Sequence, residues 1–197
     1  MRGSRTEGTS DQRILRFPES CQEAFRYLSD WSFRVVRSED TLVRFESDRV
    51  FIQVFHGRTS FEIGLEVGLL RNASRLDHDL SAVIELTDPD AAQRGQPGFA
   101  SQPTRVATLL TEPAELFRQY GRTVAQGDAE VFRRLETIGM KRSESLALRS
   151  MVARALEAFR KGDWRTVAEE LSSIESVLSP AERKKLEYAR RKLTSGD

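Results

Sequence analysis

The sequence predicts an α+β protein, with an N-terminal helix and a four-stranded antiparallel meander packed against a C-terminal helical region. Three observations carry this. Four short runs between Phe33 and Val67 alternate apolar and polar residues with the period of a strand. The links between those runs are too short for crossovers, so neighbouring strands must run antiparallel. From Leu76 onward, apolar residues recur in threes and fours, the period of a helix.

The elements follow in order. Phe17-Pro18-Glu19-Ser20 opens a helix, since proline suits an early helical position and glutamate favours the positive end of the dipole. Cys21, Ala24, Phe25 and Leu28 give it one apolar face, and it should run to about Asp30. The strands are Phe33 to Arg37, Thr41 to Glu46, Val50 to His56, and Ser60 to Val67. Turns at Ser38-Glu39-Asp40 and Ser47-Asp48-Arg49 separate the first three. On the third strand Val50, Ile52, Val54 and His56 share one face and Phe51, Gln53 and Phe55 the other. Both faces are therefore largely apolar, which suits an inner strand covered on its second side.

Asp77 is expected to cap a helix from about His78 to Leu86, stopped by Asp88-Pro89. Residues 88–102, with Pro89, Gly95 and Pro97-Gly98, read as a loop anchored by Phe99. Thr104 to Leu110 follows. Pro113 then reads as the first-turn proline of a helix to Ala125. Gly127-Asp128 begins a helix to about Met140, and Ser143 caps the next, with Leu148, Val152, Ala155 and Phe159 on one face. Gly162-Asp163 begins another, carrying Val167, Leu171, Ile174 and Leu178. Ser179-Pro180 starts the last, through Leu186, Ala189 and Leu193. Residues 1–12 read as a disordered leader whose opening MRGS resembles an expression remnant. Residues 13–72 and 76–195 are expected to share one core, with Leu148, Val152, Phe159 and Leu171 covering Phe51 and Phe55, and Gly64 letting a helix approach the sheet closely.

Composition narrows the function. In 197 residues, 31 Lys and Arg nearly balance 30 Asp and Glu, so no global field points to nucleic acid or a membrane surface. Cys21 is the single cysteine, which excludes an intrachain disulfide and argues against a cysteine zinc site. No apolar run is long enough to span a bilayer, and a reducing, cytoplasmic setting is expected. There is no glycine-rich phosphate loop, dinucleotide fingerprint, H-E-x-x-H motif or G-x-S-x-G elbow. Cys21 lies on an apolar helix face, a poor place for a nucleophile.

Several groupings remain as candidate sites. His56-Gly57-Arg58 is either a recognition point at the sheet rim or a hairpin tip whose glycine tolerates positive φ; the hairpin is the plainer reading. Arg44, Glu46, Gln53, Glu62 and Glu66 could place carboxylates together for acid–base chemistry or a hard cation, or could form a solvated face with cross-strand partners. Asp77-His78-Asp79 has the look of a metal triplet, but successive residues at a helix start do not converge on one point. The run RKKLEYARRK, Arg183 to Lys192, could meet phosphate, or could be a solvated helix. Trp31 and Trp164 read as packing anchors. The candidate interaction residues are thus His56, Arg58, Glu62, Glu66 and Arg44, with no catalytic, cofactor or metal residue assigned.

Two resemblances add to this. Gly127-Asp128 and Gly162-Asp163 lie 35 residues apart, each between two helices. The stretch Ala155 to Pro180 resembles a tetratricopeptide hairpin through Gly162, Asp163, Trp164, Ala168, Leu171 and Pro180. It departs from that pattern at Ala158, where an aromatic is usual, and covers about one repeat. The block Leu42 to Leu70 resembles a family of small bacterial proteins. Phe45-Glu46-Ser47, Val50, Val54, His56-Gly57-Arg58, Ser60-Phe61-Glu62-Ile63-Gly64 and Glu66 carry that likeness, which implies no particular activity. Small proteins of this type are often immunity proteins or adaptors, by association alone. The expectation is a non-catalytic, cytoplasmic protein that binds another protein. The alternatives are a small metal-assisted enzyme using Glu62, Glu66 and His56, and nucleic-acid binding through the basic C-terminal helix.

Overall fold

The computed structural model describes residues 16–57, 63–71, 77–94 and 106–195. It is α+β, with an N-terminal helix, an antiparallel sheet and a C-terminal helical region. The chain divides into two compact units, Met1–Gly139 and Met140–Asp197. Each has its own cluster of buried side chains: the first joins the sheet to helical residues between Leu80 and Leu135, and the second is formed within residues 155–189.

In the first unit, α1 (Phe17–Ala24) carries Pro18 in its first turn and buries Phe17 and Cys21. The chain then tightens into a 3₁₀ turn, Arg26–Trp31, instead of continuing as α-helix to Asp30. A three-residue repeat brings Phe25, Leu28 and Trp31 to one side, and all three pack in the core cluster. Ser32, at φ 65°, ends the turn and leads into the sheet.

The sheet has five strands in chain order: β1 (Arg34–Glu39), β2 (Leu42–Glu46), β3 (Val50–His56), β4 (Ile63–Leu69) and β5 (His78–Asp79). All neighbouring pairs are antiparallel. The β2–β3 turn is held by Ser47, whose Oγ accepts from the Val50 N–H at 3.1 Å. β1 is an edge strand with a register shift between Val35 and Arg37, and all its residues are exposed. The charges of Arg34, Arg37 and Glu39 and the bulge blunt that edge against further pairing.

β5 was not expected. His78 and Asp79, read from sequence as the start of a helix, instead pair with Val67 and Glu66. The cap therefore moves from Asp77 to Asp79, whose carboxylate accepts from the Ala82 N–H at 2.7 Å and starts α2 (Leu80–Thr87). Two residues are too few to show a strand period, so only pairing reveals them.

The pleat separates two faces. Val43, Phe45, Val50, Ile52, Val54, Leu65 and Val67 point into the core, where they meet α1, α2 and α4 (Val106–Tyr120). Between the last two lies α3 (Pro89–Arg94), a short helix where a loop was expected; the Asp88 carboxylate accepts from the Ala91 N–H and Pro89 takes the first helical position. Phe99, the expected anchor of that loop, lies outside the described residues. α4 runs straight through Pro113, which was read as a helix start. Leu110, Pro113, Ala114 and Phe117 share its buried face, and that burial outweighs the lost backbone bond. Tyr27 donates to the Ala114 carbonyl at 2.9 Å. The short α5 (Arg122–Ala125) ends at Gly127, which has φ 70° and sits so close to Arg49 and Val50 that a Cβ there would meet both.

α6 (Ala129–Lys161) is one helix where two were expected. Ser143 lies inside it and caps nothing. The stretch from Met140 to Ser150 has helix formers and no proline, and Gly139 keeps helical geometry. Val131, Phe132 and Leu135 join the first unit's cluster. Further along, Met140 and Leu146 are 72% and 69% exposed.

The second unit contains the rest of α6, with α7 (Trp164–Ser172), a 3₁₀ turn at Glu175–Val177 and α8 (Pro180–Ser195). Gly162, at φ 75°, ends α6, and the Asp163 carboxylate caps α7 through the Thr166 N–H. Ser179 and Glu182 cap α8 reciprocally: Glu182 accepts from the Ser179 N–H and Ser179 Oγ from the Glu182 N–H. Ala155, Ala158, Val167, Leu171, Leu186 and Ala189 form the core, with Leu148, Val152 and Phe159 packed against it. The four residues expected to cover Phe51 and Phe55 are thus all members of this second cluster.

Candidate functional site on the outer sheet face

Strand alternation places Arg34, Arg37, Arg44, Glu46, Phe51, Gln53, Phe55, Glu66 and Asp79 on the face turned away from the first unit's core. None of them belongs to the core cluster. Register lines up Arg37, Arg44, Gln53, Glu66 and Asp79 as one row across all five strands. The middle of this row is joined by hydrogen bonds. Gln53 Nε2 donates to Glu66 Oε2 at 2.7 Å, Arg44 reaches Gln53 Oε1 at 3.5 Å, and Arg44 Nε donates to Glu46 Oε1 at 2.8 Å. Gln53 thereby links cation to carboxylate across β3, and the row runs from arginine on β1 and β2 to carboxylate on β4 and β5.

A phenylalanine flanks the row on each side. Phe51 pairs with Gly68 and Phe55 with Gly64. Each ring lies in the space that a side chain on its glycine would fill. The Arg44 guanidinium lies over the Phe51 ring, 3.8 Å from its centre. This answers the expectation that a helix would approach at Gly64: the gap is filled by Phe55 from the neighbouring strand. Phe51 is 7% exposed and Phe55 half-buried. The signal was present in the sequence, since two aromatics and two glycines at spacings of four stand in register only in this pairing.

The candidate residues therefore separate. Arg44 and Glu66 come together through Gln53. His56 points to the opposite face, 5% exposed and 5.7 Å from the Phe17 ring. Burial lowers its pKa, which favours the neutral ring. The enzyme alternative needs His56 and Glu66 in one cleft, and the sheet lies between them. Arg58 and Glu62 lie outside the described residues. Gly57 is the last described residue before that gap.

The Asp77-His78-Asp79 triplet is dispersed too. His78 is 6% exposed with its ring 6.0 Å from Phe132, while Asp79 faces out and caps α2. Burial lowers the His78 pKa, opposed by the charges of Glu136, Asp77 and Asp79. Among the described residues, no three His, Cys, Asp or Glu side chains converge as a metal site. Cys21 is fully buried and its thiol is pushed up to about 12 by desolvation, so it remains protonated. Trp31 packs on Tyr27 and Phe117, and Trp164 on Phe159 and Tyr188. In the basic run, Arg190 is committed to Glu175 at 2.7 Å.

Comparison of the chain with protein-family models, with curated proteins and with solved structures gives no match. No helix among the described residues is long and apolar enough to cross a membrane.

Proposed function

We propose that the protein is a non-catalytic interaction protein, of the adaptor or immunity type, working in the cytoplasm and binding another protein on the outer sheet face. The observation that carries this reading is the Arg44–Gln53–Glu66 row set between Phe51 and Phe55. It offers a fixed polar pattern with the half-buried Phe55 ring beside it and Arg44 laid over the buried Phe51. Interface centres favour that combination, because aromatics and arginine supply contact area and directed hydrogen bonds at small entropic cost. The three polar side chains hold one another in place, so binding would order little that is not already ordered.

The test has two steps. The full chain is used to capture partners from extracts of its host, and the captured protein is then purified and titrated against variants. Phe55→Asp and Glu66→Arg are expected to weaken binding by about tenfold or more, the behaviour of residues central to an interface. Arg154→Glu, in the second unit, should leave it unchanged. A purified partner that binds Phe55→Asp and Glu66→Arg as tightly as the unaltered chain would overturn the assignment to this face. Failure to capture any partner above background would count against the reading as a whole.

A further inference from the structure

The second unit carries a shallow groove of about 500 Å³, lined by Phe159, Ala181, Lys184, Lys185, Tyr188 and Arg191, with Glu187 at its wall. Positions 181, 184, 185, 188 and 191 are one stripe of α8, spaced by threes and fours, while Leu186 and Ala189 on its other side are buried. Ala181, a small and exposed residue, is part of the lining. On the floor Phe159 and Tyr188 pack against each other and against Trp164, edge-on and tilted, with ring centres 5.3 to 5.7 Å apart. Tyr188 is nevertheless 38% exposed.

Some cations of the unit are held by carboxylates: Arg154 by Glu170, Arg160 and Lys161 by Glu157, and Arg190 by Glu175. Among the described residues, no ion pair joins Lys184, Lys185 or Arg191 to a carboxylate. Three cations thus rim an apolar floor, with Glu187 at its wall and Glu182 near enough for Lys185 to help lower its pKa. Residues 140–197 hold thirteen Lys and Arg against nine Asp and Glu, so the groove lies on the basic part of a nearly neutral chain.

We infer that this groove docks an acidic segment of a partner protein, with one apolar side chain on the Phe159–Tyr188 floor and flanking carboxylates on Lys184, Lys185 and Arg191. The outer two cations, Lys184 and Arg191, lie seven residues apart on the helix, about 10 Å along its axis, which suits carboxylates a few residues apart on an extended peptide. A nucleic acid fits less well, because the chain carries a net charge of only +1 and three cations would neutralise few phosphates. Lys185 lies over Phe159 at 6.0 Å and Arg191 over Tyr188 at 5.9 Å, so the cations that would meet carboxylates stand beside the aromatic floor. The inference does not depend on the outer sheet face, and either can fail alone.

The probe is a labelled, end-blocked peptide of glutamates around a central tryptophan, titrated into the full chain by fluorescence anisotropy. Binding is expected, and it should weaken as salt rises. The double variant Lys184→Glu/Arg191→Glu should lose about tenfold or more in affinity, because it sets like charges against the peptide's carboxylates. Lys141→Glu/Arg149→Glu, with the same charge change elsewhere in the unit, should lose far less. Ala181→Phe, which fills the hollow, should also abolish binding. Should Ala181→Phe misfold, the exposed charge variants still decide the matter, with circular dichroism confirming their helices. Equal loss in both charge variants would reduce the effect to net charge and overturn the site. Absence of binding at low salt would overturn it too, as would a single-stranded oligonucleotide that binds more tightly than the peptide through the same residues.

Discussion

The two units bury apolar surface with different materials. In the first, Phe17, Phe25, Phe45 and Phe117 meet Val and Ile from strands distant in sequence. In the second, three helical segments drawn from fewer than sixty residues meet through Ala155, Ala158 and Ala189 among leucines and valines. Small residues let helix axes come close, and the contacts are local. The first core therefore rests on a few large shapes gathered from residues far apart in the sequence, the second on many small contacts along a short chain. Exposed ion pairs such as Arg154–Glu170 and Arg190–Glu175 add little to either.

The comparison breaks or survives first on large-to-small substitution. Phe117 is fully buried, and Phe117→Ala is expected to destabilise the first unit by about 3–5 kcal/mol. Leu171→Ala should destabilise the second by about 2–5 kcal/mol. The two tryptophans allow the transitions to be read apart, since Trp31 packs in the first cluster and Trp164 in the second. With the other tryptophan replaced by phenylalanine, denaturant titration should show each substitution moving its own transition. If each variant moves both transitions equally, the clusters act as one cooperative core and the distinction is lost.

A smaller effect sharpens the account of the outer face. A Cβ at Gly68 would lie 2.5 Å from the Phe51 ring, which is pinned by Arg44. Gly68→Ala should therefore cost about 1–3 kcal/mol, the range for overpacking. Gly64→Ala meets Phe55 in the same way, but that ring is half-exposed and can swing aside, so its cost should be clearly smaller. Equal costs would mean that both rings are held alike. By the same reasoning Phe55→Ala, on a half-buried ring, should fall well below the range for a fully buried phenylalanine.

Smaller again is the effect at Gly139, the last residue of the first unit in sequence. Gly139 lies inside α6 with helical geometry, and a Cβ there would touch nothing within 4 Å. Gly139→Ala should raise stability by about 0.5–1 kcal/mol through helix propensity and the unfolded chain. A loss measured by thermal unfolding would show that glycine is required there for another reason.

What the sequence made legible follows from period. The strand alternation of Val50 to His56 assigned every side chain of β3 to its face, including His56 to the core side. Arg44, Gln53 and Glu66 were likewise grouped correctly, because register follows from short links. What stayed hidden had no period to show it. β5 is two residues long. The joining of two expected helices into α6 turned on Ser143, a good cap only where the chain actually breaks. Pro113 looked like a helix start because local chemistry favours that, and tertiary burial of Leu110, Ala114 and Phe117 overrode it. The groove on α8 was visible only as a charge run, because its floor comes from Phe159 on another helix.

The last prediction concerns acid, where the units should part without any mutation. The chain has two histidines, His56 and His78, and both are buried in the first unit. Burial lowers both pKa values below the ordinary histidine value of about 6.5. Between the folded and unfolded pKa the unfolded chain binds more protons, so stability there rises with pH. The contribution is fully present above about pH 6.5 and is lost as pH falls through the folded values. In the second unit the perturbed acids are Asp163, Glu170, Glu175 and Glu182, each lowered chiefly by a hydrogen bond from Thr166, Arg154, Arg190 or Ser179 respectively. Their contribution is present above the unfolded carboxyl values near pH 4 and is lost only below them. Denaturant midpoints followed between about pH 7 and 5 should fall for the Trp31 transition and stay level for the Trp164 transition; further acidification should then lower the second. A Trp164 midpoint that falls in step with the other between pH 7 and 5 would mean that the histidines act on both units, and the separation of the two cores would have to be abandoned.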